Sequence, residues 1–297
     1  MNSERTSVII SNFNTAAILE ECLSNLREVN SSLEVIVVDN ASSDGSAEMV
    51  RDKFPQVILL TPGKNLGLSA SYNLGLTKAS GAMLLFLGSD AFPEEGTIAG
   101  VADYLTTHPE VGLATCKLIL RDGSLDRDAH RGFPTPWTAL THFLSLDRIF
   151  NGSHLFDRYF LGYEDTNQPH EIDLCISHFM LVRKEVFDKI GGFDEDFFVY
   201  GEDVDFCYRV KEAGWKIMYL PQWQATHYKG ASVGVRKETA DITTATKETK
   251  RRMSQESTTA MRLFYQKHYA NKYPRILTLL VFLLIGYKKR IRTLRFR

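Results

Sequence analysis

The stretch "LEVIVVDNASSDGS", Leu33–Ser46, joins an unbroken apolar, β-branched run to a cluster of Asp, Asn, Ser and Gly. Apolar residues at successive positions, rather than alternate ones, predict a strand buried on both faces. Its polar end reads as a turn, with Asp44 or Ser46 placed to cap a helix over "AEMVRDKF", Ala47–Phe54. The same unit recurs on either side. "TSVIIS", Thr6–Ser11, predicts a strand, and "AAILEECLSNLREV", Ala16–Val29, a helix with Ile18, Leu19, Cys22, Leu23 and Leu26 at helical spacing. Downstream, "VILLT" (Val57–Thr61) predicts a strand, "GLSASYNLGLTKA" (Gly67–Ala79) a helix and "AMLLFLGSDA" (Ala82–Ala91) a strand. The order β-α-β-α-β-α-β implies an α/β class fold with a mostly parallel sheet and helices on both faces. Ligands of such sheets lie beyond the carboxyl ends of the strands. The polar residues Ser11–Asn14, Asp39–Asp44 and Ser89–Asp90 collect at those ends.

The 297 residues are 44% hydrophobic and 24% charged, which excludes a low-complexity or disordered chain and allows one large domain with an appendage. The cysteines Cys22, Cys116, Cys175 and Cys207 form no CxxC pair, so neither a disulfide framework nor a zinc site is expected, and they read as reduced cytosolic thiols. The start "MNSERTSVII" lacks the charged and apolar regions of a signal peptide. Net charge is −1, but eight basic residues and no acids lie from Asn271 to the end. The first 270 residues therefore carry 27 basic and 36 acidic groups, a balance of −9. An acidic body with a basic tail does not suit nucleic acid as a partner.

The tail carries "ILTLLVFLLIGY", Ile276–Tyr287, which is shorter than the ~20 apolar residues needed to span a bilayer. Flanked by Arg275 and "KKRIRTLRFR", it is expected to lie on an anionic membrane surface, with packing against the body as the alternative. The expected organisation is a domain over residues 1–232, then a mobile segment and a helical, membrane-associating tail over 233–297. Between Leu120 and Glu171 no period is sustained, which predicts an irregular insertion over the site with short helices around "WTALTHFLSL". "IDLCISHFMLVRKEVF" restores a strand and a helix, Gly201–Gly214 is helical, and "KIMYLPQWQATHY" gives two short strands. Val235–Gln255 is polar and Thr-rich and is expected to be mobile, followed by a helix over "AMRLFYQKHY".

Asp39 stands at a strand end, where a carboxylate can accept from a base N–H or ribose hydroxyls; turn chemistry explains Asn40–Gly45 but not Asp39. No GxGxxG follows the first strand and no P-loop is present, which weakens dinucleotide binding and simple NTP hydrolysis. Asp90 ends five apolar residues. A buried acid there needs a partner, and either Mg²⁺ or Mn²⁺ with phosphate oxygens, or a capping role for "PEEGTIAG", supplies one.

"VIISNFN", "VVDNASSDGS", "NLGLSASYNLGL", "LLFLGSDA" and "GGFDEDFFVYGEDVDFCYRVKEAGWKIMYLP…THYKGAS" occur in the order found in family 2 glycosyltransferases. Over Thr6–Ser232 the chain resembles this family, and most of all its bacterial rhamnosyltransferase-like members that build cell-surface polysaccharide. The resemblance implies a GT-A-type, Rossmann-like fold and inverting transfer of a sugar, with rhamnose favoured, from a nucleoside-diphosphate donor. It implies a dTDP- or UDP-sugar, a glycan or lipid-linked acceptor, and Mg²⁺ or Mn²⁺. Ser11, Phe13 and Asp39 would hold the nucleoside, and Asn65, Gly67 and Asn73 would line the donor site. Asp90 would bind the metal and His227 the metal or diphosphate. Ser89 precedes Asp90 where a DxD-type motif has Asp, leaving one carboxylate. Ser177-His178 stands where relatives have Gly and a small residue, a departure that bears on the acceptor or sugar pocket.

The stretch Gly192–Arg209, "GFDEDFFVYGEDVDFCYR", sets six carboxylates among aromatics. On a helix after Gly201, Phe206, Val210 and Ala213 form the inward stripe. At about 100° per residue, Glu202 and Asp203 fall roughly 40–60° either side of that stripe, and Asp205 about 100° away, which is expected to be exposed. Periodicity does not choose between Glu202 and Asp203; the resemblance favours Asp203 as base, with Glu202 binding acceptor or orienting the loop. The aromatic setting is expected to raise the base's pKa. Two alternatives are a sugar-1-phosphate nucleotidyltransferase and a non-catalytic nucleotide-sugar-binding membrane protein. "SNFNTA" lacks the glycine-rich loop of the first, and the intact acids weigh against the second. The expected location is cytoplasmic, peripheral on the inner membrane's cytoplasmic face.

Overall fold

The computed structural model describes residues 5–230 and 246–295. Its elements begin β1 (Thr6–Asn12), α1 (Ala16–Val29), β2 (Glu34–Asp39), α2 (Ser46–Lys53), β3 (Ile58–Leu60), α3 (Leu68–Leu76) and β4 (Met83–Gly88). This is the order expected, and β1 pairs in parallel with both β2 and β4, and β2 with β3. Val8–Ile10, Ile36–Val38 and Leu84–Leu87 are buried, and so are the five residues of the expected α1 stripe, Ile18, Leu19, Cys22, Leu23 and Leu26. Asp44, one of two capping candidates, serves two helices: it accepts from the Ala16 N–H at the start of α1 (2.8 Å) and the Ser46 N–H at the start of α2 (3.1 Å).

The rest of the sheet comprises β5 (Ala91–Pro93), β6 (Val111–Leu120), β7 (His170–Ile172), β8 (Phe179–Arg183) and β9 (Lys216–His227). The strand order is β3-β2-β1-β4-β8-β6-β9-β5, with β7 on β9. Here β8 runs antiparallel to β4 and to β6, and β5 and β7 antiparallel to β9; only β6 and β9 are parallel. The sheet is therefore parallel over the first four strands and mixed beyond, because β8 returns from the long insertion instead of from a short crossover helix. The two strands expected over "KIMYLPQWQATHY" are one 12-residue strand. Its pairing with β6 skips from Leu220 to Gln224 between Cys116 and Lys117, so Pro221 sits in an irregularity and withholds no ladder N–H.

Helices α4 (Thr97–Thr107), α5 (Pro136–Phe143), α6 (Leu146–Ile149), α7 (Lys184–Ile190) and α8 (Glu202–Glu212) follow, with α5 and α6 in the insertion. The expectation of a mobile 235–255 is corrected in part. A helix α9 (Lys247–His268) begins there, its first turn capped by the Thr246 hydroxyl accepting from the Thr249 N–H, while 231–245 lie outside the described residues. Ala260, Phe264 and Tyr265 of α9, with Tyr269, close over Phe197 and Tyr208 in a second core. A last helix α10 (Arg275–Arg295) packs back on α9 through Val281 and Phe282, and leaves Ile276, Leu279, Leu283 and Tyr287 about 60% exposed or more. No helix among the described residues is long and apolar enough to cross a membrane.

Candidate active site

Strand register brings Asp90, His178 and His227 together. Ala91 pairs with His227 at the end of β9, placing Asp90 beside it, and the Asp90 carbonyl accepts from the Tyr228 N–H at 2.8 Å. Leu87 pairs with Phe179, so His178 lies opposite Gly88, whose N–H donates to the His178 carbonyl at 3.2 Å. Asp90 Oδ1 is 3.5 Å from His178 Nε2 and 3.8 Å from His227 Nε2. One potential ligand atom from each residue lies within 4.8 Å of the others. Asp90 Oδ2, His178 Nδ1 and His227 Nε2 are buried and have no hydrogen-bond partner. Leaving such groups unpaired costs about 1–3 kcal/mol each. A trio of one carboxylate and two imidazoles with ligand atoms this close fits a divalent cation. Ser89 instead turns toward Thr15, its hydroxyl 3.3 Å away.

A residue that the sequence left unmarked orients this cluster. Asp126 follows the turn at the end of β6 and is wholly buried. Burial opposes its charge, but the bond to His227 and the Lys229 ammonium outweigh it and hold the carboxyl well below its ordinary range. The carboxylate only accepts, so the His227 ring donates from Nδ1 at 2.8 Å and keeps a lone pair on Nε2 toward Asp90. Lys229 bridges Asp126 to Asp128, Asp128 lies 3.6 Å from Arg131, and Arg131 lies 3.9 Å from Asp203. Alternating charges thus run from His227 to the N-terminus of α8. Burial and the neighbouring His227 push His178 down to about 4, so its imidazole is neutral near pH 7.

The two acids that open α8 diverge. Glu202 points inward, 3% exposed, where Ser177 Oγ donates to Oε1 at 3.3 Å and Oε2 has no partner. Burial, then the adjacent Asp203, push it up to about 8. Asp203 faces Arg131; burial raises its carboxyl and Arg131 restrains the rise. Both acids of the pair thus have raised pKa values, the direction expected from the aromatic setting. The expectation that Asp205 is exposed is wrong: it is 1% exposed, accepting from His268 (2.7 Å) and from Arg209 Nε (2.8 Å). Helix α9 covers that flank of α8, which periodicity within one helix cannot reveal. Burial opposes Asp205's charge, but His268 and Arg209 hold its pKa below the ordinary value.

The other expected residues divide into two groups. At the ends of β1 and β2, Ser11 accepts from Asn40 (2.9 Å), Asp39 accepts from Asn12 (2.8 Å) and the Ser42 N–H (3.1 Å), and Phe13 is 42% exposed. Asn65, Gly67 and Asn73 instead serve the loop 191–198. Asn65 accepts from the Gly67 N–H, and Gly67 has φ 83° with Phe198 so close that a Cβ would sit 2.4 Å from its carbonyl oxygen. The Asn73 amide bonds the Phe193 backbone twice at 2.8 Å and the Glu195 carboxylate. Asn73 is therefore engaged in holding "GGFDEDFF" against α3. Of the residues missed in sequence, Asp126 and Arg131 lie in the aperiodic insertion and give no local signal; His178 was marked only as a departure.

The profile of glycosyl transferase family 2 matches residues 7–191, more than half of the chain. The chain belongs to glycosyl transferase family 2. A second profile, the N-terminal domain of galactosyltransferase, matches residues 158–231, which include His178, Glu202, Asp203 and His227. The N-acetylglucosaminyl-diphospho-decaprenol L-rhamnosyltransferase of Mycobacterium tuberculosis is 27% identical over 216 residues, 68% of each chain. Rhamnosyltransferase WbbL of Escherichia coli is 39% identical over 77 residues, 24% of this chain and 29% of that one. In fold the chain is similar to a mannosyltransferase from Pyrobaculum calidifontis solved with GDP-Man and Mn²⁺ (TM-score 0.58, 19% identity, 97% of this chain and 73% of that one). It is also similar to GalNAc-T7 solved with UDP, GalNAc and Mn²⁺ (TM-score 0.58, 14% identity, 81% and 48%). The protein is a glycosyltransferase of GT-A fold, and its relatives include rhamnosyltransferases.

Proposed function

We propose that this glycosyltransferase moves a sugar, rhamnose first among candidates, from a dTDP- or UDP-sugar to a hydroxyl of a lipid-linked glycan, with inversion at the anomeric carbon. The observation that carries this is the Asp90-His178-His227 trio, each with an unpartnered buried polar atom, joined by adjacent Ser177 to Glu202 and so to the acid pair Glu202-Asp203. The mycobacterial relative, an N-acetylglucosaminyl-diphospho-decaprenol L-rhamnosyltransferase, supports rhamnose and a lipid diphosphate-linked acceptor. No observation favours a nucleotidyltransferase or a non-catalytic protein.

Asp203 is the base. Its carboxylate takes the acceptor hydroxyl proton as that oxygen bonds to the anomeric carbon and the bond from that carbon to the diphosphate oxygen breaks. Arg131 aligns the carboxylate and keeps part of it ionised. Glu202, protonated near neutral pH, donates from the inner side and holds the loop or the acceptor. Asp39, Ser11 and Phe13 hold the nucleoside. Asp90, His178 and His227 hold Mg²⁺ or Mn²⁺, which when bound offsets the charge growing on the diphosphate. The exposed apolar face of α10, next to Lys288, Lys289, Arg290 and Arg292, suits an anionic bilayer surface on the cytoplasmic side, where a lipid-linked acceptor is presented.

Two measurements test this. Nucleoside diphosphate release is followed over dTDP-rhamnose and UDP-sugars with a prenyl-diphosphate-linked glycan; metal-dependent release from one donor with inverted product is expected, and nucleotide transfer to a sugar phosphate would refute it. Flotation with anionic vesicles should carry the full chain, and Leu279→Ser/Leu283→Ser should abolish flotation; equal flotation of that variant removes the membrane role of α10.

A further inference from the structure

We propose that His178 is a third protein ligand of the divalent cation, making a two-nitrogen, one-oxygen site that selects a transition metal over Mg²⁺. This deepens the metal-dependent reading above and rests on it. Three placements carry it. First, His178 enters the site because Gly88 leaves room: a Cβ at Gly88 would lie 2.6 Å from His178 Cδ2. Second, its ring stacks obliquely against that of His227, centroids 4.2 Å apart, and Asp90 Oδ1 lies between their Nε2 atoms at 3.5 and 3.8 Å. Third, each of the three side chains has a buried polar atom with no partner. A ring that merely filled space over Gly88 need not bring a nitrogen to within 4.8 Å of ligand atoms on both Asp90 and His227.

The second carboxylate of a DxD-type motif is absent, since Gly88 and Ser89 precede Asp90, and the Ser89 hydroxyl lies against Thr15. His178 replaces that oxygen with a nitrogen from a different strand. The exchange alters which ion is preferred. Mg²⁺ takes oxygen ligands at about 2.0–2.1 Å and gives up water reluctantly. Imidazole suits later metals, and affinity at a given nitrogen-containing site rises from Mn²⁺ toward Co²⁺ and beyond. Asp126 holds the His227 tautomer that ligation requires, so one of the two imidazoles is already oriented.

The test is metal binding to the full chain without donor, by Co²⁺ absorbance and Mn²⁺ electron paramagnetic resonance, with Mg²⁺ as competitor. Co²⁺ is expected to bind more tightly than Mn²⁺, and about 100-fold excess Mg²⁺ should not displace it. Loss of even an outer partner of a ligand costs about 10–100-fold in affinity, so His178→Ala and His178→Gln should weaken Co²⁺ at least that much, with little change for Mg²⁺. His178→Asp should restore binding and turn the preference toward Mg²⁺. Asp90→Asn, the control for site location, should lose all three ions. Wild-type Co²⁺ affinity in the Ala and Gln variants, with Asp90→Asn inactive in binding, overturns the role of His178 and leaves the metal-dependent transferase standing. Normal binding by Asp90→Asn overturns both.

Discussion

The loops at the ends of β1 and β2 and the N-terminus of α8 are both acidic, yet they treat their carboxylates oppositely. Asp39 and Asp44 are bonded by Asn12, Ser42, Ala16 and Ser46, across the first two βα units. Glu202 and Asp203 are buried, with raised pKa values, and their relief comes from Ser177 before β8 and from Arg131 in the insertion. The first arrangement makes a hydrogen-bonded platform, suited to binding a nucleoside. The second holds its carboxyls above their ordinary range, suited to moving a proton.

The contrast breaks most directly at Asp203. Asp203→Asn is expected to lower transfer by about 10²–10⁴-fold, the range for loss of a general base, with unchanged melting temperature and nucleotide affinity. Because the base must be ionised and its pKa is raised, the wild-type rate should fall with acid already above the ordinary Asp range. Near-normal turnover in Asp203→Asn, or an acidic limb below that range, would move the base elsewhere.

Glu202 sharpens the comparison through stability. Its folded pKa of about 8 lies above the ordinary carboxyl value of 4.5. Stability associated with the protonated form is thus complete below about 4.5 and is lost as pH rises toward 8. Glu202→Gln does not titrate, so relative to wild type it should gain stability between pH 5 and pH 8.5, by a few kcal/mol at most and several degrees in melting temperature. A constant difference between the two proteins across that window would mean that Glu202 ionises normally.

The same contrast explains what the sequence could convey. The βα units announce themselves because apolar runs, helical spacing and turn residues are all local, and α1 begins and ends where its pattern does. The acid pair was legible as a pair, and Asp90 and His227 as metal candidates through motif order. His178 reaches the cluster only through the register of β8 on β4, and Asp126 and Arg131 through an insertion with no period. The burial of Asp205 depends on a helix more than 40 residues downstream in the chain. Contacts of that kind leave no trace in a short window, because neither partner has a reason, taken alone, to be where it is.

Asp205 also gives the mildest test, since it is an acid of the reactive helix treated in the manner of the platform. His268 and Arg209 hold its folded pKa below the ordinary value, so the stability it contributes is present above the unfolded pKa and is lost as pH falls through the folded one. His268→Ala removes one of its two charged or polar partners and leaves Arg209 in place. Hydrogen bonds to charged groups are worth about 1.5–3 kcal/mol, which is a fall of a few degrees in melting temperature at neutral pH. The deficit should shrink as pH drops and Asp205 protonates in both proteins. Because α9 docks on α8 through this bond and through Phe264 against Tyr208, the variant should also open α9 to proteolysis before the sheet unfolds. If α9 stays protected and the deficit is independent of pH, His268 is a packing residue and the C-terminal helices are held by the aromatic cluster alone.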